Sequence, residues 1–178
     1  MSSKLIVNSI ENTTGTHTIN LDSGNSSIVG DLTVGGNLDL SSGGVYLGGS
    51  GSANLLDDYE TGTWTGNCST GSCSVLNENY IKVGNLVTAV CRAESFTDTS
   101  SSANVNITGL PYAAANGDFT GAIIAKGLSN TNLSACYTGA GQSSVSFYGV
   151  HSGGFLALRH LDLTSTTQIY FTLTYTTS

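Results

Sequence analysis

Along residues 28–40, apolar residues or glycines occupy every second position: Ile28, Gly30, Leu32, Val34, Gly36, Leu38 and Leu40. Val29, Asp31, Thr33, Gly35, Asn37 and Asp39 fall between them. A period of two is the mark of a strand. A rough repeat runs through Gly30–Gly36, Gly36–Leu40 and Gly44–Gly49. Short repeats cannot bury an apolar face alone and need neighbours to stack on. The stretch holds too few units for a solenoid within one chain, so other copies of the chain are the expected neighbours. Three copies around an axis would turn Leu32, Val34, Leu38, Leu40, Val45 and Leu47 inward and form a narrow trimeric β stem. The competing reading is a Gly-rich linker, although a linker has no need to alternate.

The same period returns farther on. Leu86, Thr88, Val90 and Arg92 share one face of a strand, and Val87, Ala89, Cys91 and Ala93 the other. Ile169, Phe171, Leu173 and Tyr175 alternate with Gln168, Tyr170, Thr172 and Thr174. Strands are expected near 61–66, 73–76, 79–83, 85–96, 103–108, 119–126, 133–138, 144–150, 155–160 and 167–176. Turn signals separate them at Val83-Gly84-Asn85, Thr108–Pro111, Asn116-Gly117-Asp118 and Ser152-Gly153-Gly154. Many short strands at this spacing indicate a β-sandwich, jelly-roll-like, with Trp64 as a core or junction anchor. Before the stem, residues 4–21 read as two short β-prone runs around a Gly-containing turn, a hairpin. Ala53–Tyr59 can form one helical turn with Leu55, Leu56 and Tyr59 on one side. Asp57, Asp58 and Glu60 would then form a solvated acidic collar, or a cation site.

The fold class expected is therefore all-β: an extended N-terminal β hairpin and trimeric β stem, then a C-terminal β-sandwich head. The boundaries are 1–27 for an N-terminal attachment segment, 28–53 for the stem, 54–65 for a junction and 66–178 for the head.

Composition agrees. Charged residues make up 10% of the chain, with 23 glycines, one proline and one methionine. Long helices need more Ala, Leu, Glu, Lys and Arg than this. The net charge is −7 and uneven. Residues 1–60 hold Lys4 against seven acidic residues, and residues 61–178 hold four basic against five acidic residues. No cluster of Lys and Arg exists to displace counterions from nucleic acid, so none is expected as a partner. No apolar run is long enough to span a bilayer, and no secretory signal is visible.

Catalytic chemistry finds little purchase. His17, His151 and His160 are isolated, no nucleophile elbow is present, and the Gly-rich stretches lack the Lys of a phosphate loop. No cofactor, metal or enzymatic activity is expected. Cys68 and Cys73, with four residues between them that include a Gly, can close a small disulfide loop. Cys91 and Cys136 can pair in principle, but buried free thiols are the default for both. Binding chemistry is better represented. Aromatic faces suit sugar C–H surfaces, and Asn, Asp, Ser and His suit hydroxyls. Tyr112, Tyr137, Tyr148, His151, Phe155, Arg159 and His160 are the candidate receptor-binding residues. Tyr148–Phe155, around its Gly turn, is the foremost segment. The other role open to each is packing at a subunit contact.

Asp57-Asp58-Tyr59-Glu60-Thr61-Gly62-Thr63-Trp64 resembles the junction of bacteriophage tail fibre and tail tip proteins, where such a segment leads from a stem into a terminal β domain. Tyr80–Val87 and Ile107–Ala113 resemble strand motifs of those domains. The resemblance covers most of residues 1–115; beyond that only the β character is shared. It implies a homotrimeric virion component, made in the host cytoplasm and released by lysis. The N-terminal end would attach to other tail or baseplate proteins. The head would bind host surface glycan or lipopolysaccharide without catalysis and without membrane insertion. The alternative is a virion decoration or baseplate protein that binds only other virion proteins.

Overall fold

A computed structural model describes residues 31–40, 44–47, 55–56, 58–129 and 133–178. The chain divides into two compact units, residues 1–39 and 40–178. The hairpin expected over 4–21 lies outside the described residues, as do residues 28–30, 41–43 and 48–53 of the expected stem.

The described part of the first unit, residues 31–39, contains no strand and bends at Gly35–Gly36. The β character expected of 28–40 is thus not formed by residues 31–40 within one chain. The alternation is present, but a strand exists only where its backbone groups are paired. Among the described stem residues that happens within one chain at β1 (Val45–Tyr46), antiparallel to β2 (Leu55–Leu56). Leu32, Val34, Leu38, Leu40, Val45 and Leu47 are all exposed on the single chain.

From Tyr59 onward the described chain is nearly all β. The strands are β3 (Tyr59–Thr63), β4 (Asn67–Cys68), β5 (Ser74–Val83), β6 (Leu86–Glu94), β7 (Asn106–Thr108), β8 (Phe119–Leu128), β9 (Ala135–Thr138), β10 (Ser144–His151), β11 (Gly154–Ala157) and β12 (Leu163–Thr176). They form one antiparallel sheet in the order β3-β5-β6-β12-β8-β9-β10-β7-β4, with β11 added to β10. A 3-10 turn at His160–Asp162 precedes β12.

Two segments curl this sheet onto itself. In β8, Phe119–Gly121 pair with β9, whereas Ala122–Lys126 pair with β12. At the other seam, β3 and β4 are the two ends of the path, yet only Trp64–Gly66 separate them in sequence. Strands that change partners at a bend make the corners of such packings. Gly121 stands at the β8 corner because nothing larger fits: an added Cβ would strike the Thr172 carbonyl oxygen and lie 2.9 Å from Leu173 Cα.

The curl brings two inner faces together. Val87, Ala89, Cys91 and Ala93 of β6 and Ile169, Phe171, Leu173 and Tyr175 of β12 form one side, as the alternation predicts. Ile107, Cys136, Val145 and Phe147 form the other. Phe147 meets Phe171 with ring centroids 5.8 Å apart, and Trp64 lies 6.4 Å from Phe171. The expected strands 73–76 and 79–83 are one strand with a bulge between Leu76 and Asn79, where Asn77 adopts φ 57°.

The junction is not helical. Leu55–Leu56 and Tyr59–Thr63 are strands, because each finds a partner: β1 for the first and β5 for the second. The acidic collar is corrected as well. Asp58 pairs with Lys82, and the Glu60 carboxylate accepts hydrogen bonds from the Tyr80 and Tyr112 hydroxyls. Asp57 lies outside the described residues. Cys68 and Cys73 form a disulfide, and Cys91 and Cys136 are buried free thiols.

Candidate functional site

The outward face of β8, β9 and β10 carries the site. Cys136 and Phe147 point into the core, so the alternation turns Tyr137, Ser146 and Tyr148 outward. Register then sets them side by side. Thr120, Tyr137, Ser146 and Asn106 form one row across four strands, and the Ser146 hydroxyl donates to Asn106 Oδ1 at 2.7 Å. The next row brings Ala135, Tyr148 and Ala157 together.

Ser152 and Gly153, at φ 46° and 84°, close the hairpin between β10 and β11. Two positive φ values in a two-residue turn match the right-handed twist of the flanking strands. The hairpin sets Phe155 opposite Val150, and Phe155 is 85% exposed.

Tyr137, Tyr148, Val150, Phe155, Ala135 and Thr120 thereby line a groove of about 490 Å³. The two tyrosine rings stand nearly perpendicular, 5.8 Å apart. The Tyr137 hydroxyl donates to Asp118 Oδ1 at 2.6 Å, and this bond raises the tyrosine pKa. Beyond that bond lies a second hollow of about 380 Å³, lined by Gln142, Ser144, Ser146 and the Thr138–Ala140 turn, with Asp118 and Tyr137 as its shared wall. Its rim is tied down by backbone bonds, Ala114 N to Gln142 O at 2.9 Å and Gly141 N to Ala114 O at 2.8 Å.

Of the candidate residues, Tyr137, Tyr148 and Phe155 come together here. His151 sits beside the turn, its backbone paired with Gly154; its side chain lies outside what the structure describes. The others are elsewhere. Tyr112 is half-buried against Tyr80 and accepts the Tyr175 hydroxyl at its carbonyl, so it fastens the fold. His160 is 1% exposed, with Nδ1 3.0 Å from the Asp98 carbonyl oxygen, and offers a ligand no surface. Arg159 is half-buried beside Asp162, Nε to Oδ2 3.7 Å. Asp98 itself is held at about pKa 2 by the Ser101 hydroxyl and the Ser100 and Ser101 amides.

Asp118, Gln142 and Ser146 line the hollows although the sequence did not single them out, and Val150 does so from within the Tyr148–Phe155 segment without having been named as a candidate. Asp118 and Gln142 read as turn residues; the signal for Ser146 and Val150 was the alternation of β10, which needs its partner strands before it names a surface.

A different surface lies on the outward face of β6, β12 and β8. Ile124, 71% exposed, sits beside Tyr170, Arg92 and Val90 around a shallow hollow of about 430 Å³. Its charges are spent on one another: Arg92 pairs with Glu94 at 2.9 Å, and Gln168 donates to Glu94 at 2.7 Å.

Among the described residues no group of three or more His, Cys, Asp or Glu is placed to hold a metal ion. No helix among them is long and apolar enough to cross a membrane. Comparison of the chain with protein-family models, with curated proteins and with solved structures gives no match.

Proposed function

We propose that the chain is a bacteriophage tail fibre or tail tip protein whose head binds a host surface glycan without catalysis. In this reading the curled sheet is a jelly-roll-like sandwich head, residues 1–27 attach to other tail or baseplate proteins, and three chains share the stem. The observation that carries the reading is the groove at Tyr137, Tyr148 and Phe155. It combines exposed aromatic faces with a carboxylate and an adjoining hydroxyl-rich hollow, the surfaces a sugar presents in complement. Trimerisation would multiply weak contacts into avidity. The exposed apolar residues at 32–47 supply a seam for that assembly. The protein would reside in the virion tail, after synthesis in the host cytoplasm and release by lysis.

The mass of the full chain in solution tests the architecture. A three-chain mass that falls to one chain when Leu32, Val34, Leu38 and Leu40 are changed to Ser supports it. A monomer that still binds glycan removes the stem and leaves the head. A second reading, a decoration or baseplate protein that binds only virion proteins, is favoured by the apolar surface around Ile124. Adsorption of the full chain to host cells, abolished by Phe155→Ser and indifferent to Ile124→Ser, decides against it.

A further inference from the structure

We propose that the two hollows meeting at Tyr137 form one cleft with two subsites for an uncharged oligosaccharide. One sugar would lie on each side of the Tyr137–Asp118 hydrogen bond. The inference rests on the glycan-binding reading of the head and specifies its ligand.

Two observations give the cleft its two halves. Asp118 and Tyr137 line both hollows, so the hollows are neighbours with a common wall that carries the bond between these two side chains. The halves differ in chemistry. Tyr148, Val150 and Phe155 make one side apolar, with Phe155 85% and Val150 63% exposed. That side fits the C–H face of a pyranose ring. Gln142, Ser144 and Ser146 make the other side rich in amide and hydroxyl groups, which donate and accept hydrogen bonds with sugar hydroxyls. The hollows measure about 490 and 380 Å³, each within the range of small-molecule sites. A ligand that uses both must be at least a disaccharide.

Charge gives the cleft its selectivity. Among the described residues no Lys or Arg lines either hollow, and Asp118 is the one formally charged side chain in them. Asp118 Oδ1 is engaged by Tyr137, and the remaining oxygen can accept from a sugar hydroxyl or amide. A carboxylate, sulfate or phosphate on the ligand would face Asp118 with no Lys or Arg among the described lining residues to offset it. The chain as a whole carries −7. Specificity often comes from such a repulsive element rather than from a new attraction. Acidic glycans are therefore refused, and neutral ones accepted.

The test is an array of matched neutral and sialylated, sulfated or uronate-bearing glycans, read with the full chain and followed by calorimetry on free sugars. Neutral glycans of two or more units bind, their acidic counterparts bind at least tenfold more weakly, and the component monosaccharides bind at least tenfold more weakly. Phe155→Ser and Gln142→Ala, both at exposed positions, each weaken binding about tenfold with unchanged thermal melting. Asp118→Asn, which still accepts from Tyr137, brings neutral and acidic glycans within threefold. Equal or better binding of the acidic partners overturns the inference, as does a monosaccharide as tight as its disaccharide. Binding that ignores both Phe155→Ser and Gln142→Ala leaves the head a glycan binder but removes this cleft. Binding to no glycan removes the glycan-binding reading and this inference with it.

Discussion

Tyr112 donates its hydroxyl to Glu60 Oε2 at 2.7 Å, across 52 residues of chain, while Tyr80 occupies the other oxygen of the same carboxylate. The junction strand β3 is thus held to the loop after β7 by one side chain. The Tyr80 and Tyr112 bonds depress the Glu60 pKa below its ordinary 4.5. A depressed folded-state pKa contributes stability that is fully present above the unfolded value and is lost as pH falls through the folded value. Glu60→Gln should therefore melt lower than the native chain near neutrality, and the two melting curves should converge below pH 4.5. Melting temperature against pH for both proteins checks this; parallel curves at all pH values would remove the role of the charge.

Phe147 and Phe171 join the two inner faces of the curled sheet. Truncating either to Ala should cost about 3–5 kcal/mol, since the lost transfer energy is compounded by the cavity left behind. The double variant should lose less than the sum, because the rings share one contact. Urea unfolding of the four proteins measures it, and strict additivity would show that the two faces are not coupled through these rings.

Gly121→Ala should destabilise by about 1–3 kcal/mol, at the upper end of that overpacking range, because the added methyl meets backbone rather than a side chain that can swing away. Cys136 Sγ at 2.8 Å and Leu173 Cα at 2.9 Å close the remaining space. Gly84→Ala makes a useful control. An added Cβ there meets nothing within 4 Å, so only the strain of φ 54° is felt. Equilibrium unfolding of both variants should rank Gly121→Ala as the worse.

The four cysteines should separate cleanly by reactivity. The Cys68–Cys73 disulfide closes a short loop, for which chain entropy gives about 2 kcal/mol, so Cys68→Ser with Cys73→Ser should cost roughly that amount. Burial pushes the Cys136 thiol up to about pKa 11 and raises Cys91 further. Thiolates are the reactive form. Alkylation followed by mass measurement should find no modified thiol in the folded protein, two per chain after unfolding, and four after reduction as well. A thiol modified in the folded state would place Cys91 or Cys136 at the surface.

The local pattern was legible where one strand face is buried and the other is not. In β6 and β12, Val87 to Ala93 and Ile169 to Tyr175 declare their buried faces by alternation alone, and the structure agrees. The seams were not legible. Nothing in Tyr59–Cys68 announces that its two halves lie at opposite ends of the strand path, because the choice is made by β5 and β7, far along the chain. His160 shows a related limit: polar and next to a charged residue, it reads as surface, yet the 3-10 turn and the Asp98 carbonyl give it a buried place. Tyr137, Tyr148 and Phe155 were identified as types, but their meeting depends on the Ser146–Tyr137 and Val150–Phe155 registers. In residues 31–40 a regular alternation produced no strand, since a period of two states which face could be buried and not what would bury it.

The order of the strands also distributes length. The nine-residue β6 lies between β5 and β12, and the fourteen-residue β12 is paired on both sides over Gln168–Thr172, whereas the ten-residue β8 changes partner after Gly121 and is paired on one side at a time. The ends of the path are the five-residue β3 and the two-residue β4, and the appended β11 has four. Long unpaired edges are the templates on which sheets from different molecules add to one another and grow into aggregates. Among the described residues the apolar pairing of β6 with β12 is kept inside, while the two ends of the path offer only short ladders. At those two ends, pairing between copies is limited to a few backbone bonds. Encounters between copies are left to side-chain surfaces, where recognition can be specific.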